Sequence, residues 1–239
     1  MALDPPSEVV NFLNFIGIDW PAVNEDAVRD FAGHVREFSS NISSAHDDAT
    51  STVNQVGGAY SGAAYEAMVA KWASTSTTHI TELTEACNVL ATALDVAADA
   101  IVTMKGVAIA ELIALAISFV ADQAAAVLTF GIAEAAEALV IAAGKKAIDF
   151  LEQQIEQQII GEVIEAAVKP LAATVERAVS GLVYNAAGAA LGVGGAGLSF
   201  SIDTEAVISH AGTLQTHAET VRTHTQDFTA KLATVNFAS

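Results

Sequence analysis

The stretch Gly57-Gly-Ala-Tyr-Ser-Gly62 lies between two long apolar repeats and decides the fold of this chain. Glycine adopts positive φ angles without steric cost, and a tight reversal of the chain requires such angles. Three glycines fall within these six residues. We therefore predict that two helices meet at this stretch and that the chain reverses there.

Both sequences that flank this turn repeat apolar residues every seven positions. Such a repeat places apolar side chains on one side of a helix. Asn24 is a favourable N-cap before an acidic first turn, so we expect the first arm to begin there. The first arm carries Val28, Val35, Ile42, Ala49 and Val56 at one seam position and Phe31, Phe38 and Ala45 at the other. The second arm carries Ile80, Cys87, Leu94 and Ile101 at one and Leu83, Leu90, Ala97 and Met104 at the other. The predicted fold is all-α, with a long antiparallel helical hairpin.

A short apolar helix is predicted before the hairpin. Pro5 and Pro6 suit a helix start, and Gly17 suits its end. Asp19-Trp20-Pro21 is then expected to form a corner that leads to the first arm. The hairpin should thus be preceded by a separate small helix.

Ala-rich amphipathic helices are predicted to extend the hairpin. An amphipathic helix is expected from Lys145 to Val168, and Pro170 should end or kink it because proline lacks an amide and crowds the previous turn. A further helix is expected over 171–187. Glycine is dense in residues 188–199, which reads as a flexible linker. The predicted domains are 1–187, the linker 188–199, and a C-terminal amphipathic helix within 200–239.

The C-terminal segment contains an internal heptad repeat that begins at each of three histidines. The predicted seam residues are Val207, His210, Leu214, His217, Val221, His224 and Phe228. A seam that is half apolar and half polar suits a reversible partner better than a permanent core. Because imidazole titrates near pH 6.5, a second hypothesis is that this seam responds to pH.

The charge of the chain excludes nucleic acid as a partner. The formal net charge is -18, and only ten Lys and Arg are spread over 239 residues. Binding to phosphates requires clustered cations, and anionic membrane surfaces repel an acidic protein. The composition, 52% hydrophobic but only 6% aromatic, favours closely packed helices.

Residues 106–144 are apolar enough to raise a membrane alternative. A spanning helix needs about 20 apolar residues. Acidic residues interrupt this stretch at Glu111, Asp122, Glu134 and Glu137, and each costs roughly 2.5 to 3.5 kcal/mol at the centre of a bilayer. Buried helices are the favoured interpretation, and a membrane-inserting or pore-forming protein is the alternative.

We predict no catalytic site, no metal site and no cofactor. His34 and Glu37, and likewise His79 and Glu82, lie one turn apart, but the heptad phase directs each Glu away from the seam, so the ligands cannot converge. Cys87 falls on the apolar seam, where an inert buried thiol is expected. A Ser, His and Asp grouping that converges only in space is not visible in a sequence.

The turn and its surroundings resemble a known family. Ala59-Tyr60-Ser61-Gly62 is similar to the turn of WXG-type secreted proteins, with Tyr60 in place of the tryptophan and Gly62 as the glycine. Together with the Gly17–Pro21 corner and the Ala-rich helices, residues 5–187 resemble the WXG-like N-terminal domains of actinobacterial type VII (ESX-like) secreted polymorphic toxins, as in mycobacterial channel-and-necrotising-toxin proteins.

This resemblance implies a non-enzymatic trafficking and partner-binding domain. The implied partners are small helical WXG-type proteins and the type VII secretion machinery. The implied localisation is secreted or at the cell surface by a leaderless route, and cytoplasmic before export. The start of the chain has no basic segment followed by an apolar one, which agrees with that expectation. No Tyr-x-x-x-Asp/Glu export motif follows a tyrosine, so recognition through a partner chain is expected.

Overall fold

The computed structural model describes residues 2–126, 133–174, 176 and 201–237. The α-helices in these ranges are α1 (Ser7–Ile16), α2 (Glu25–Ala59), α3 (Ala63–Thr75), α4 (Thr81–Ala126), α5 (Ala133–Gln158) and α6 (Thr204–Thr234). Two π-helical segments cover Ser76–Ile80 and Ile159–Val168, and residues 169–174 are helical. Two strands of two residues each, β1 (Tyr60–Ser61) and β2 (Ser201–Ile202), pair antiparallel. The predicted all-α fold is confirmed.

The chain divides into two compact units. Unit 1 contains Met1–Asp30, Ala93–Ile164 and Val235–Ser239, and unit 2 contains Phe31–Thr92 and Glu165–Thr234. The predicted linker 188–199 lies outside the described residues, so the proposed domain division stays a prediction.

The predicted antiparallel hairpin is present, with α2 as one arm and the chain from α3 into α4 as the other. Trp72 Nε1 donates to Thr50 Oγ1 at 2.8 Å, and further along the arms Ser39 Oγ donates to the Thr84 carbonyl at 3.4 Å. In unit 1, Arg29 Nη2 and Asp99 Oδ1 lie 2.8 Å apart. One member of each pair advances along the sequence as the other recedes, as antiparallel arms require.

The heptad seams account for most of the hairpin interior. Every residue of the first predicted seam position in α2, from Val28 to Val56, is buried. In α4, Cys87, Leu90, Leu94, Ala97 and Ile101 are buried as well. Asn24 caps α2 as predicted, since its Oδ1 accepts the Ala27 amide at 3.1 Å.

The reversal is shorter than the glycine cluster predicts. Gly57 and Gly58 remain inside α2, which continues to Ala59, and the reversal occupies residues 60–62. A Cβ at Gly57 would lie 2.4 Å from Tyr65 Oη, so this glycine makes room for a ring from α3 rather than a turn. The predicted turn at residues 57–62 was therefore wrong for residues 57–59, which are helical, and correct for residues 60–62.

The second arm is not the continuous helix that the heptads predict. The π-helical segment Ser76–Ile80 separates α3 from α4. Thr81 Oγ1 donates to the Ser76 carbonyl at 3.2 Å across the wider turn. A π-turn inserts an extra residue and shifts the phase of the side chains that follow. The predicted heptads begin at Ile80, the last residue of this segment, so they describe α4 and give no information on the break before it.

Helix α1 ends as predicted at Gly17. The φ angle of Gly17 is 69°, its amide donates to the Asn14 carbonyl, and the Ile18 amide donates to the Leu13 carbonyl at 3.1 Å. These two bonds form a Schellman motif, which satisfies carbonyls that the helix end leaves open. Val9, Phe12, Leu13 and Ile16 then pack with Leu112, Ala116 and Ile148 in the core of unit 1.

Pro170 does not end the helical path. Residues 169–174 are helical, and the ten residues Ile159–Val168 before them form a π-helical segment. Proline removes an amide and crowds the carbonyl four residues earlier, so the preceding turns must widen or bend. Ile148, Leu151, Ile155 and Val163 of the predicted amphipathic face are buried.

Candidate partner-binding surfaces

The predicted turn motif lies at the tip of the hairpin in unit 2. Tyr60 pairs with Ile202 and Ser61 with Ser201, and the Asp203 amide donates to the Ala59 carbonyl at 2.7 Å. Gly62 has a φ of 149°, which a residue with a side chain rarely adopts. A Cβ added there would first meet Tyr60 Oη at 3.6 Å, so a substitution would cause backbone strain without a steric clash.

The predicted seam of α6 is its half-buried stripe. Val207, His210, Leu214, His217, Val221, His224 and Phe228 are all of intermediate exposure, and no residue of α6 is fully buried. Three contacts join this stripe to α2 of the same chain. His217 Nε2 lies 3.1 Å from Thr52 Oγ1, the Phe228 ring stacks on Phe38 at 4.6 Å, and Lys231 Nζ donates to Glu37 Oε1 at 2.5 Å.

A small cavity at this contact brings together two histidines that the sequence analysis treated separately. His34 and His224 line about 30 Å³ together with Glu37, Asp227 and Lys231, a space that holds roughly one water molecule. The hydrogen bond from Lys231 is the main cause that lowers the pKa of Glu37, and the positive charge of Lys231 lowers it further. Among the described residues, no group of three His, Cys, Asp or Glu side chains converges as metal ligands.

A hydrogen-bonded cluster around His46, which the sequence analysis did not identify, lies inside the hairpin. The His46 ring is parallel to the Trp72 indole at 5.0 Å, and His46 Nε2 lies 2.5 Å from Ser76 Oγ. Thr50 Oγ1 accepts the Trp72 Nε1 hydrogen and donates to the His46 carbonyl. Burial lowers the pKa of His46, against an opposing effect of Asp47. The cluster joins α2 to the π-helical segment that begins at Ser76.

A fully buried ion pair lies in unit 1. Lys105 Nζ donates to Glu25 Oε2 at 2.8 Å and to the Val23 carbonyl, and both side chains are at most 1% exposed. The Leu3 amide also donates to Glu25. Burial raises the pKa of Glu25, but the hydrogen bonds from Lys105 and Leu3 outweigh it and leave the pKa lowered. The pair thus connects α4 to the start of α2 and to the N-terminal residues.

An apolar groove lies in unit 1 between α1 and α4. It encloses about 770 Å³ and is lined mainly by Phe12, Phe15, Ile113, Ile117, Phe119 and Val120. The Phe15 and Phe119 rings are 4.6 Å apart. Phe15, Ile117 and Val120 remain more than half exposed. Large exposed apolar patches on soluble proteins mark interaction surfaces or sites that promote aggregation. The sequence analysis placed Phe15 in an apolar helix but did not foresee this groove.

One described helix has the length and composition of a membrane span. Within Thr81–Ala121 of α4, an apolar segment of 18 residues has a mean hydropathy of 2.0, and 28% of that segment is buried. Core helices of soluble proteins meet the same criterion. Glu111 is exposed within this stretch, where it would have to be desolvated in a bilayer.

Cys87 is buried at the hairpin seam, as expected. Burial raises its pKa to about 11. A thiol with so high a pKa carries almost no thiolate at neutral pH, and the thiolate is the nucleophilic form. Cys87 therefore acts as a small apolar residue of the core.

The comparison with known protein families identifies the family of this chain. The family model of the WXG100-like domain matches residues 4–146, which include α1 and the entire hairpin. The chain belongs to the WXG100-like domain family. No curated protein and no solved structure matches it. Over residues 4–146, the WXG-like resemblance predicted from the turn is confirmed.

Membership of the WXG100-like family fixes the broad function class. The chain is a helical protein related to type VII secretion. Members of this family are non-enzymatic and usually work with partner proteins.

Proposed function

We propose that this WXG100-like chain is a trafficking and partner-binding domain of a type VII secretion substrate, equivalent to the N-terminal region of a polymorphic toxin. Small helical WXG-type proteins and the type VII machinery are its partners. The protein waits in the cytoplasm and leaves by a leaderless route, to be secreted or held at the cell surface. The observation that carries this proposal is the family match over the hairpin.

The groove between α1 and α4 supplies the surface for such a partner. Its lining is apolar and partly exposed, and a partner helix that covers Phe15, Ile117 and Val120 would remove that area from water. Each Å² of apolar surface so covered contributes roughly 25 cal/mol before the costs of association. Unit 1 contains sixteen Asp and Glu against four Lys and Arg. Its partner should therefore present cations around an apolar stripe, which also disfavours a second copy of this acidic chain.

Export of the full chain tests the trafficking role. The secreted fraction is measured in the native host with and without the type VII secretion ATPase. We expect secretion to disappear without the ATPase and the protein to accumulate in the cytoplasm. Equal secretion in both strains would refute the proposal.

Co-purification from the same host tests the groove. We expect Phe15→Ser with Ile117→Ser to lose a co-purifying small helical protein, because both side chains are exposed and their loss leaves the core intact. Ile208→Ser is the matched control, since Ile208 is 67% exposed but lies on α6, outside the groove. If both variants retain the partner equally, the groove is not its binding surface.

A membrane-inserting or pore-forming protein is the second candidate function. The apolar stretch Thr81–Ala121 of α4 supports it by length and composition. Dye release from zwitterionic liposomes separates the two functions, since a trafficking domain should release none at about pH 7.5 or pH 5.5. Release that disappears when Ile117 and Val120 are both changed to Asp would favour insertion of α4.

A further inference from the structure

Helix α6 lies antiparallel along one face of α2, in unit 2. Thr52, Phe38 and Glu37 of α2 contact His217, Phe228 and Lys231 of α6 in reverse order along the chain. These contacts lie between His217, near the middle of α6, and Lys231, near its C-terminal end. The whole stripe is only half-buried, and no residue of α6 is fully buried. The α6 side of the contact is therefore shallow, since even its contact residues stay partly exposed.

The side chains that join α6 to α2 are of a kind that makes the contact reversible. The Lys231–Glu37 pair is 39% and 50% exposed, and exposed ion pairs stabilise little. The stacked Phe38 and Phe228 rings contribute about 0.5 to 1.5 kcal/mol beyond the area that they bury. The β1–β2 pairing and the Asp203–Ala59 hydrogen bond hold the start of α6 at the hairpin tip. A weakly docked segment held at one end rebinds readily, because its effective concentration is high.

We propose that the α2 face formed by Glu37, Phe38 and Thr52 is a helix-acceptor surface, which α6 occupies and yields to a partner helix of the same chemistry. This inference rests on the proposed partner-binding function. The inference adds a second binding surface, which is distinct from the α1–α4 groove. Helix α6 of the same chain competes with the partner helix for this second surface.

The acceptor face specifies what a competing helix must carry. Thr52 Oγ1 donates its hydrogen to the Asp48 carbonyl, so its remaining role is to accept, and it pairs with His217 Nε2 in the tautomer in which that nitrogen carries a hydrogen. Phe38 offers a ring face, which Phe228 meets at an interplanar angle of 20°. Glu37 offers a carboxylate. The competing helix therefore needs an aromatic residue, a cation one turn after it, and an N–H donor about three turns before it.

A fluorescent peptide of residues 204–234 tests this acceptor face in the full-length chain. In the wild type the chain's own α6 occupies the face, so the apparent affinity for the peptide is reduced by the small fraction of open molecules. Phe228→Ala with Lys231→Glu should open the face, and we expect the peptide to bind this variant at least about tenfold more tightly than wild type. Arg222→Glu with Gln226→Ala is the matched control, because it makes the same charge change on the exposed side of α6.

The alternatives give different results in the same assay. Equal binding to wild type and the opened variant, or binding to neither, would overturn the acceptor face. Loss of the helical circular dichroism signal in the opened variant would also overturn it, because α6 would then be part of the core. The assay contains no secretion component, so its failure leaves the proposed function intact. A failure of ATPase-dependent export would, conversely, leave the peptide result standing.

Discussion

Helices α1 and α6 follow the same rule of apolar spacing but are buried to different depths. Four of the ten residues of α1 are buried, whereas none of the 31 residues of α6 is. The contact stripe of α1 is wholly apolar, and that of α6 alternates Val, Leu and Phe with His and Lys. Spacing therefore determines which residues face a neighbouring helix, and side-chain chemistry determines whether the contact becomes a permanent core.

The polar groups of the two units show the same difference. Unit 1 contains a Lys and a Glu that are sealed from water with all of their charge paired. Unit 2 places the ion pair between α6 and α2, Lys231–Glu37, at positions that are 39% and 50% exposed, where water can replace it. Substitutions in unit 1 should therefore act on folding, and substitutions along α6 should act mainly on docking. The following predictions test that division.

The largest effect is expected at the buried pair of unit 1. Glu25→Ala leaves the Lys105 ammonium buried without its partner, which should lower the free energy of unfolding by about 3 to 5 kcal/mol. Urea denaturation measures this loss. Glu25→Leu combined with Lys105→Met should recover most of it, because apolar residues of similar volume often replace buried pairs at little cost. A small loss in the single variant would show that water reaches Lys105.

A pH titration sharpens the same prediction. The folded pKa of Glu25 is lowered, so its contribution to stability is complete above its unfolded pKa near 4.5. That contribution is lost as the pH falls through the folded value. Glu25→Gln removes the charge that pairs with Lys105, so it should lower stability above about pH 4.5 and flatten the stability profile below that value.

The next effect is expected at Gly144 in α5. A Cβ there would lie 2.9 Å from the Phe12 ring and 3.1 Å from Ile16 Cδ1. Gly144→Ala should therefore push α1 outward and destabilise unit 1 by about 1 to 3 kcal/mol, as overpacking does. Gly106→Ala is the matched control, because no atom lies within 4 Å of its Cβ position. That control should gain about 0.5 to 1 kcal/mol from helix propensity. Thermal melts of both variants measure the difference.

An effect of similar size is expected at the hairpin tip. Gly62→Leu forces a side chain onto a φ of 149°, which should cost about 1 to 3 kcal/mol in backbone strain. Gly58→Leu serves as the control, since Gly58 is helical and its Cβ position is open. If the two variants melt at the same temperature, Gly62 does not set the turn.

The heptads predicted the hairpin because apolar spacing is a local property of the sequence. They could not predict that Gly57 stays helical, since that depends on the Tyr65 ring from another helix. The burial of Lys105 depends on Glu25, Val23 and Leu3, which are about 80 to 100 residues away and so leave no local pattern in the sequence. The α1–α4 groove was missed for the same reason, since its two walls are far apart in the sequence.

The smallest effect is expected from histidine titration, and it decides between two sites in unit 2. Burial lowers the pKa of His46 below its usual 6.5, so the folded state resists protonation there. The stability from neutral His46 is complete above about pH 6.5 and is lost as the pH falls through the folded pKa. Urea denaturation at several values between about pH 7.5 and pH 5.5 measures the slope of the free energy of unfolding against pH.

Two variants assign the slope to one site. His46→Gln should flatten it, because Gln stays neutral and can still bond to Ser76 Oγ. Changing His210, His217 and His224 together to Gln alters the α6 stripe instead and serves as the matched control. A slope that flattens in the triple variant but persists in His46→Gln would contradict the assignment to His46. The His46 response acts inside the hairpin, at the junction of α3 and the π-helical segment.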